Sequence, residues 1–162
     1  MAVTLTGVNA TQVDASTSPA FTPGIECEDP RTVTLMGNTI KYIQATGTIT
    51  AGDAVKIDIT ATAANRRFSV NRTSAVDQVL EGIANASMVA NQFGWITVKG
   101  YFANANVVTG AVAGAVLGTS AVAGQLATSG GVAADANAQS AGRRAFNLTL
   151  AASNLADILV GG

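Results

Sequence analysis

The stretch Ala51-Gly52-Asp53-Ala54-Val55-Lys56-Ile57-Asp58-Ile59-Thr60 decides the fold class of this chain. Gly52 supplies a turn, and the residues after it alternate. Val55, Ile57 and Ile59 point to one side while Lys56 and Asp58 point to the other, which is the period of a half-buried strand. The device recurs in Ala113-Gly114-Ala115-Val116-Leu117-Gly118-Thr119 and in Ala123-Gly124-Gln125-Leu126-Ala127-Thr128. The spacing of these echoes is irregular, so they mark a reused turn rather than a solenoid repeat.

Working outward, the same grammar covers most of the chain. Thr32–Leu35 alternates, Gly37-Asn38 offers a turn, and Thr39–Gln44 resumes the alternation. Asn65-Arg66-Arg67 reads as a turn before a short strand at Phe68–Val70, and Val76–Ala84 reads as another strand. Gly94–Phe102 holds the strongest β-forming composition and the single tryptophan, Trp95, expected as a core or interface anchor. Ser129–Ser140 is a Gly/Ala/Asn-rich loop, Arg144–Leu150 alternates, and Leu155–Val160 closes the chain as a terminal strand. The alanine-rich stretches Asn85–Ala90 and Ala133–Ala141 could be short helices, at a length marginal for independent stability. Short strands broken by turn signals predict an all-β fold: a small antiparallel β-barrel, β-tulip-like module or sandwich.

Residues 1–30 differ from the rest. They hold all three prolines (Pro19, Pro23 and Pro30), and Glu26, Glu28 and Asp29 form an acidic cluster near their end. Proline removes donors that a ladder needs, so this segment reads as an extended arm before a β-rich domain at 31–162. A purely solvating tail has little use for Val8, Val13, Phe21 and Ile25, and these side chains are the candidates for binding a partner. The expectation is that removing the arm weakens attachment and leaves the β module folded.

Composition excludes several classes. Charged residues make up 12% of the chain, half the roughly 25% usual in globular domains. A lightly charged surface suits lasting contact with other subunits. Net charge is −1, without the basic footprint that nucleic acid requires. Arg66-Arg67 and Arg143-Arg144 are the only dense basic spots, either solvated turn residues or a patch for an acidic protein surface. Cys27 is alone, so no intrachain disulfide forms. The N-terminus has no basic start or long apolar run, and synthesis in the cytoplasm is expected. Gly100–Ala134 is uncharged, with Gly110, Gly114 and Gly118 at a spacing of four. Leu117 and Leu126 are the only large aliphatics of 107–126 apart from valines, and each interior glycine costs a helix about 1 kcal/mol. Strands and glycine turns are therefore expected there, and no membrane partner.

Catalytic chemistry is sparse. The chain has no histidine, the commonest general base and metal ligand near neutral pH, and one cysteine cannot make an ordinary zinc site. No phosphate-binding loop or dinucleotide fingerprint is present. Asp53, Asp58, Asp77 and Glu81 could supply paired carboxylates, as glycosidases use, but each has an ordinary role in a turn or on a polar strand face. No enzyme activity, no cofactor and no metal site are expected.

Ala51-Gly52-Asp53-Ala54-Val55-Lys56-Ile57, then Leu80-Glu81-Gly82-Ile83-Ala84, then Gly94–Gly100, then Ala113–Thr119 resemble the capsid decoration, or cement, proteins of tailed bacteriophages. The resemblance spans roughly Gly47 to Gly161, estimated by pattern. It implies a β-barrel or β-tulip module on the capsid exterior, often a trimer, that stabilises the shell by bridging major capsid protein subunits. Extended termini commonly serve as clamps in that group, a role that Met1–Pro30 would fit, with Arg66 and Arg67 as further contact residues. The competing expectation is another virion surface component, such as a tail, fibre or adhesin module that binds a receptor.

Overall fold

The computed structural model describes residues 8–15, 17–29, 37–75, 78–128, 144–149 and 151–161. The strands are β1 (Val13–Asp14), β2 (Glu26–Glu28), β3 (Thr39–Ala45), β4 (Ala54–Ile57), β5 (Ser69–Arg72) and β6 (Gly82–Ala84). They continue with β7 (Phe93–Asn106), β8 (Val116–Thr119), β9 (Leu126–Thr128), β10 (Arg144–Asn147) and β11 (Leu155–Gly161). No helix forms among the described residues, and the fold is all-β as the alternation indicates.

Strands β3, β5, β4, β6 and the first half of β7 close into a barrel, because β7 also pairs with β3. Its pairings are antiparallel except for β3–β5, which run parallel. Ile43, Val55, Val70, Ala84, Ile96 and Val98 fill it.

The second half of β7 leaves the barrel and starts a second sheet with β11, β10, β8 and β9. This sheet curls back on itself, since Leu126 of β9 bridges Val107 and the Val108 N–H donates to the Leu126 carbonyl at 2.8 Å. The departure point is Gly100, whose φ is +104°. Asn38 pins the kink from both sides: the Tyr101 N–H donates to Asn38 Oδ1 at 2.8 Å, and Asn38 Nδ2 donates to the Tyr101 carbonyl at 2.6 Å. A Cβ at position 100 would overlap that amide, so the strand can change sheets only with glycine there.

The two parts share a boundary. Ala54 of β4, Ile83 of β6 and Leu80 just before β6 belong to the same apolar cluster as Leu117, Leu126, Ile158 and Val160. Buried Asp53 ties the seam, accepting from the Thr50 N–H and from Asn106 Nδ2, each at 2.7 Å. The Gly124 carbonyl accepts from the Ala54 N–H at 2.7 Å.

Six turns between strands share one pattern. Thr22–Ile25, Thr50–Asp53, Val89–Gln92, Val108–Ala111, Val112–Ala115 and Val122–Gln125 each close by a hydrogen bond from the fourth N–H to the first carbonyl. In each, the third residue is left-handed: Gly24, Gly52, Asn91, Gly110, Gly114 and Gly124. The three Ala-Gly echoes are members of this set. Gly110 and Gly114 thus sit in turns of the uncharged stretch, and no described helix is long and apolar enough to cross a membrane.

Three sequence expectations change. The strand after Gly52 ends at Ile57, because Asp58 accepts from the Thr60 N–H and hydroxyl at 2.9 and 2.6 Å and turns the chain; Ile59 is then 75% exposed. Asn85–Ala90 is a bend whose Met88 bridges Ile49. The arm is extended, but between Val8 and Glu28 it lies on its own barrel: β1 pairs with β7 and β2 with β3. Thr32–Leu35, Ser129–Ser140 and Ala133–Ala141 lie outside the described residues.

Candidate functional site

The arm meets the outer wall of β3 and β7, which presents Ile40, Tyr42, Phe93 and Trp95. Val8, Ala10 and Cys27 are buried against this wall, and Phe21 and Ile25 pack on it. Phe21 stands edge-on to Tyr42 and Trp95, with ring centroids 5.4 and 5.1 Å away. Tyr42 donates its hydroxyl to Asp14 Oδ2, and Asp14 Oδ1 accepts from Gln12 Nε2 at 2.6 Å. Burial alone would raise the Asp14 pKa, but the hydrogen bonds from Tyr42, Gln12 and the Ala20 N–H outweigh it and hold the carboxyl below its ordinary value. Burial, and then the bond to Asp14, push the Tyr42 phenol well above its ordinary value.

Of the residues that the sequence singles out for partner contact, Val8, Phe21 and Ile25 therefore face the chain's own wall, and Val13 packs against the barrel core. Sequence reasoning missed this because the wall comes from strands far along the chain. The arm therefore bears on stability as well as on contact: its removal would bare the wall of Tyr42 and Trp95 and is expected to destabilise the β module.

Arg66 and Arg67 are exposed, in the loop between β4 and β5. The structure nevertheless brings this loop to the arm, because Phe68 joins Phe21 and Ile25 in one cluster. Arg66 Nη2 donates to the Ala61 carbonyl at 3.3 Å, and the Arg67 guanidinium lies 6.0 Å from the Phe68 ring. The turn Val89–Gln92 lies at the opposite end of the barrel, beside the C-terminal end of β3, its Asn91 N–H donating to the Ala45 carbonyl at 2.7 Å. The β4–β5 loop thus exposes Ile59, Arg66 and Arg67 beside the arm. Ile59 and Val89 escaped the sequence reading; the alternation runs unbroken through Asp58 to Ile59 and so hides the end of the strand. Arg143 and the Arg144 side chain lie outside the description.

The carboxylates are engaged separately. Asp53 holds the seam, Asp58 turns the chain and accepts from Thr46 Oγ1 at 2.5 Å, and Glu81 pairs with Lys41 at 2.6 Å. Asp77 lies outside the described residues. Burial first, and then the Asp29 charge, push the Cys27 thiol pKa up, which makes it a poor nucleophile. Among the described residues, no group of three or more His, Cys, Asp or Glu side chains could hold a metal ion. A cleft of about 340 Å³ runs past Thr11, Asp29, Asn38, Asn85, Thr97 and Tyr101. Its Asn38 amide is committed to the kink, and the Thr97 hydroxyl donates to Asn85 Oδ1 at 2.7 Å.

Comparisons with family models, curated proteins and solved structures return no match.

Proposed function

We propose that this chain is a structural virion protein that attaches to the outside of a phage capsid and stabilises it by bridging major capsid protein subunits. It acts by contact, without catalysis, cofactor, nucleic acid or membrane, and it resides on the capsid exterior together with further copies of itself. The observation that carries this reading is the β4–β5 loop, where two exposed arginines and the exposed Ile59 stand beside the arm, joined to Phe21 and Ile25 through Phe68. An apolar centre with arginines around it is the chemistry of a protein-binding surface. The resemblance of the strand-and-turn grammar to capsid decoration proteins supplies the partner.

Mixing the protein with expanded, undecorated phage heads tests this. Saturable binding and a raised melting temperature of the shell are expected. Arg66→Glu with Arg67→Glu should weaken binding by about tenfold or more, more steeply at low salt. Absence of binding to such heads would overturn the capsid reading.

A further inference from the structure

The cleft beside the arm has hydrogen-bonding capacity that the chain itself does not use. Three parts of the molecule meet there: the arm with Thr11 and Asp29, the barrel with Asn38, Asn85 and Thr97, and the second half of β7 with Tyr101, Phe102 and Ala103. Among the described residues, four buried side-chain polar atoms find no hydrogen-bond partner, on Thr73, Asn85, Trp95 and Asn147. Of these residues only Asn85 lines the cleft. The Thr97 hydroxyl holds its Oδ1 at 2.7 Å, which fixes the amide and leaves Nδ2 as the unpaired donor. A buried N–H without a partner is costly, so an acceptor brought into the cleft is favoured.

We propose that this cleft binds one sugar ring of a glycan. The lining selects the class. Thr97 and Thr11 donate their hydroxyl protons to Asn85 and Asn9, so each has only lone pairs left to offer. Asp29 adds a carboxylate to the lining and no basic side chain does, which disfavours an anion. The matching ligand therefore donates at several points, accepts at one and carries no negative charge. Sugar hydroxyls, each donating once and accepting up to twice, have that pattern. An ammonium ion would donate but leave the Asn85 donor unanswered. An added peptide strand needs a free main-chain edge, and Asn38 already occupies both the N–H and the carbonyl of Tyr101. Phe102, Tyr101 and Ala103 supply apolar lining for the C–H surface of a ring. At about 340 Å³ the cleft is at the small end of ligand sites, roughly 300–1,000 Å³, which suits a single ring.

Titration of the full chain with glucose, galactose, mannose, N-acetylglucosamine and N-acetylgalactosamine, followed by ligand-observed NMR, tests this without any phage head. At least one sugar should saturate with a Kd of about 1 mM, the scale for a ligand of about 12 non-hydrogen atoms. Asn85→Asp removes the unpaired donor and keeps an acceptor for Thr97, while Ala103→Trp, at an exposed position, fills the cleft. Each should weaken binding by about tenfold or more. Unchanged Trp95 emission would show that these variants remain folded. Arg66→Glu with Arg67→Glu should bind sugar as the wild type does while losing the shell, so the two readings fail separately. No saturation by any of the five sugars overturns the inference, as does undiminished binding in either folded cleft variant. Saturation by ethylammonium or triglycine at equal concentration also overturns it, giving the cleft to a cation or a peptide.

Discussion

The barrel keeps its outer wall of Ile40, Tyr42, Phe93 and Trp95 beneath its own arm, whereas the second sheet presents Val116, Phe146, Leu159 and Tyr101 outward. The two walls are alike in apolar character and unlike in what lies beside them. The barrel wall contains the bulkiest rings of the chain, and the arm meets them with Phe21 and with an acceptor, Asp14, for the Tyr42 hydroxyl. The second wall is smaller and is met by no comparable segment among the described residues. Side chains on the first wall are therefore expected to weigh more on folding than those on the second.

The largest expected effect is at the point where the walls part. Gly100→Ala places a Cβ against Asn38 at a φ of +104°, and should cost about 3 kcal/mol or more. A lower urea midpoint would show it; a loss under about 1 kcal/mol would mean that the kink is not fixed as described. Next comes the direct comparison of the two walls. Phe21→Ala opens a hole over Tyr42 and Trp95 and should cost about 2–4 kcal/mol. Phe146→Ala removes an equal ring from the bare wall and should cost less than about 1 kcal/mol in the monomer. Equal losses would erase the distinction. A smaller effect, about 1–3 kcal/mol, is expected from Asn106→Ala, which takes a donor from buried Asp53 at the seam.

Much of this contrast is local in the sequence, and part of it is not. The β3 and β7 strands are legible because Ile40, Tyr42, Trp95, Ile96 and Val98 favour a pleated surface, and the Ala-Gly turns because glycine alone accepts left-handed backbone without strain. The extension of β7 through Ala103-Asn104-Ala105-Asn106 is not legible, since no β-former lies there. Pairing with β11, and the Asn106 N–H donating to the Gly52 carbonyl at 3.0 Å, hold it extended. Ile59 is misplaced by alternation because a side-chain bond at Asp58 ends the strand first. The arm is legible as extended, but its docking depends on a wall assembled from distant strands. The β4–β5 loop is half legible: Arg66 and Arg67 stand out in the sequence, while their proximity to Phe21 arises only through Phe68.

The arm's hold on the barrel should depend on pH in a way that the second wall does not share. Asp14 has a lowered pKa in the folded chain, so its contribution is fully present above the ordinary aspartate value, about 3.9, and fades as pH falls through the lower folded value. Tyr42 has the opposite sign. Its raised pKa gives a contribution present below about 10 that is lost as pH rises through the folded value. Asp14→Asn should thus lower stability at pH 7 by about 1–2 kcal/mol, the scale of hydrogen bonds to a charged group. The gap between variant and wild type should begin to narrow once pH drops below about 4 and close as pH falls through the lower value at which the folded wild-type carboxylate protonates. Thermal melts from neutral to acid pH, followed by Trp95 emission beneath the arm, measure that gap. A gap of constant size down to the lowest pH would show that Asp14 holds the arm by shape rather than by charge, and the Tyr42 hydroxyl would then need another acceptor in the folded chain.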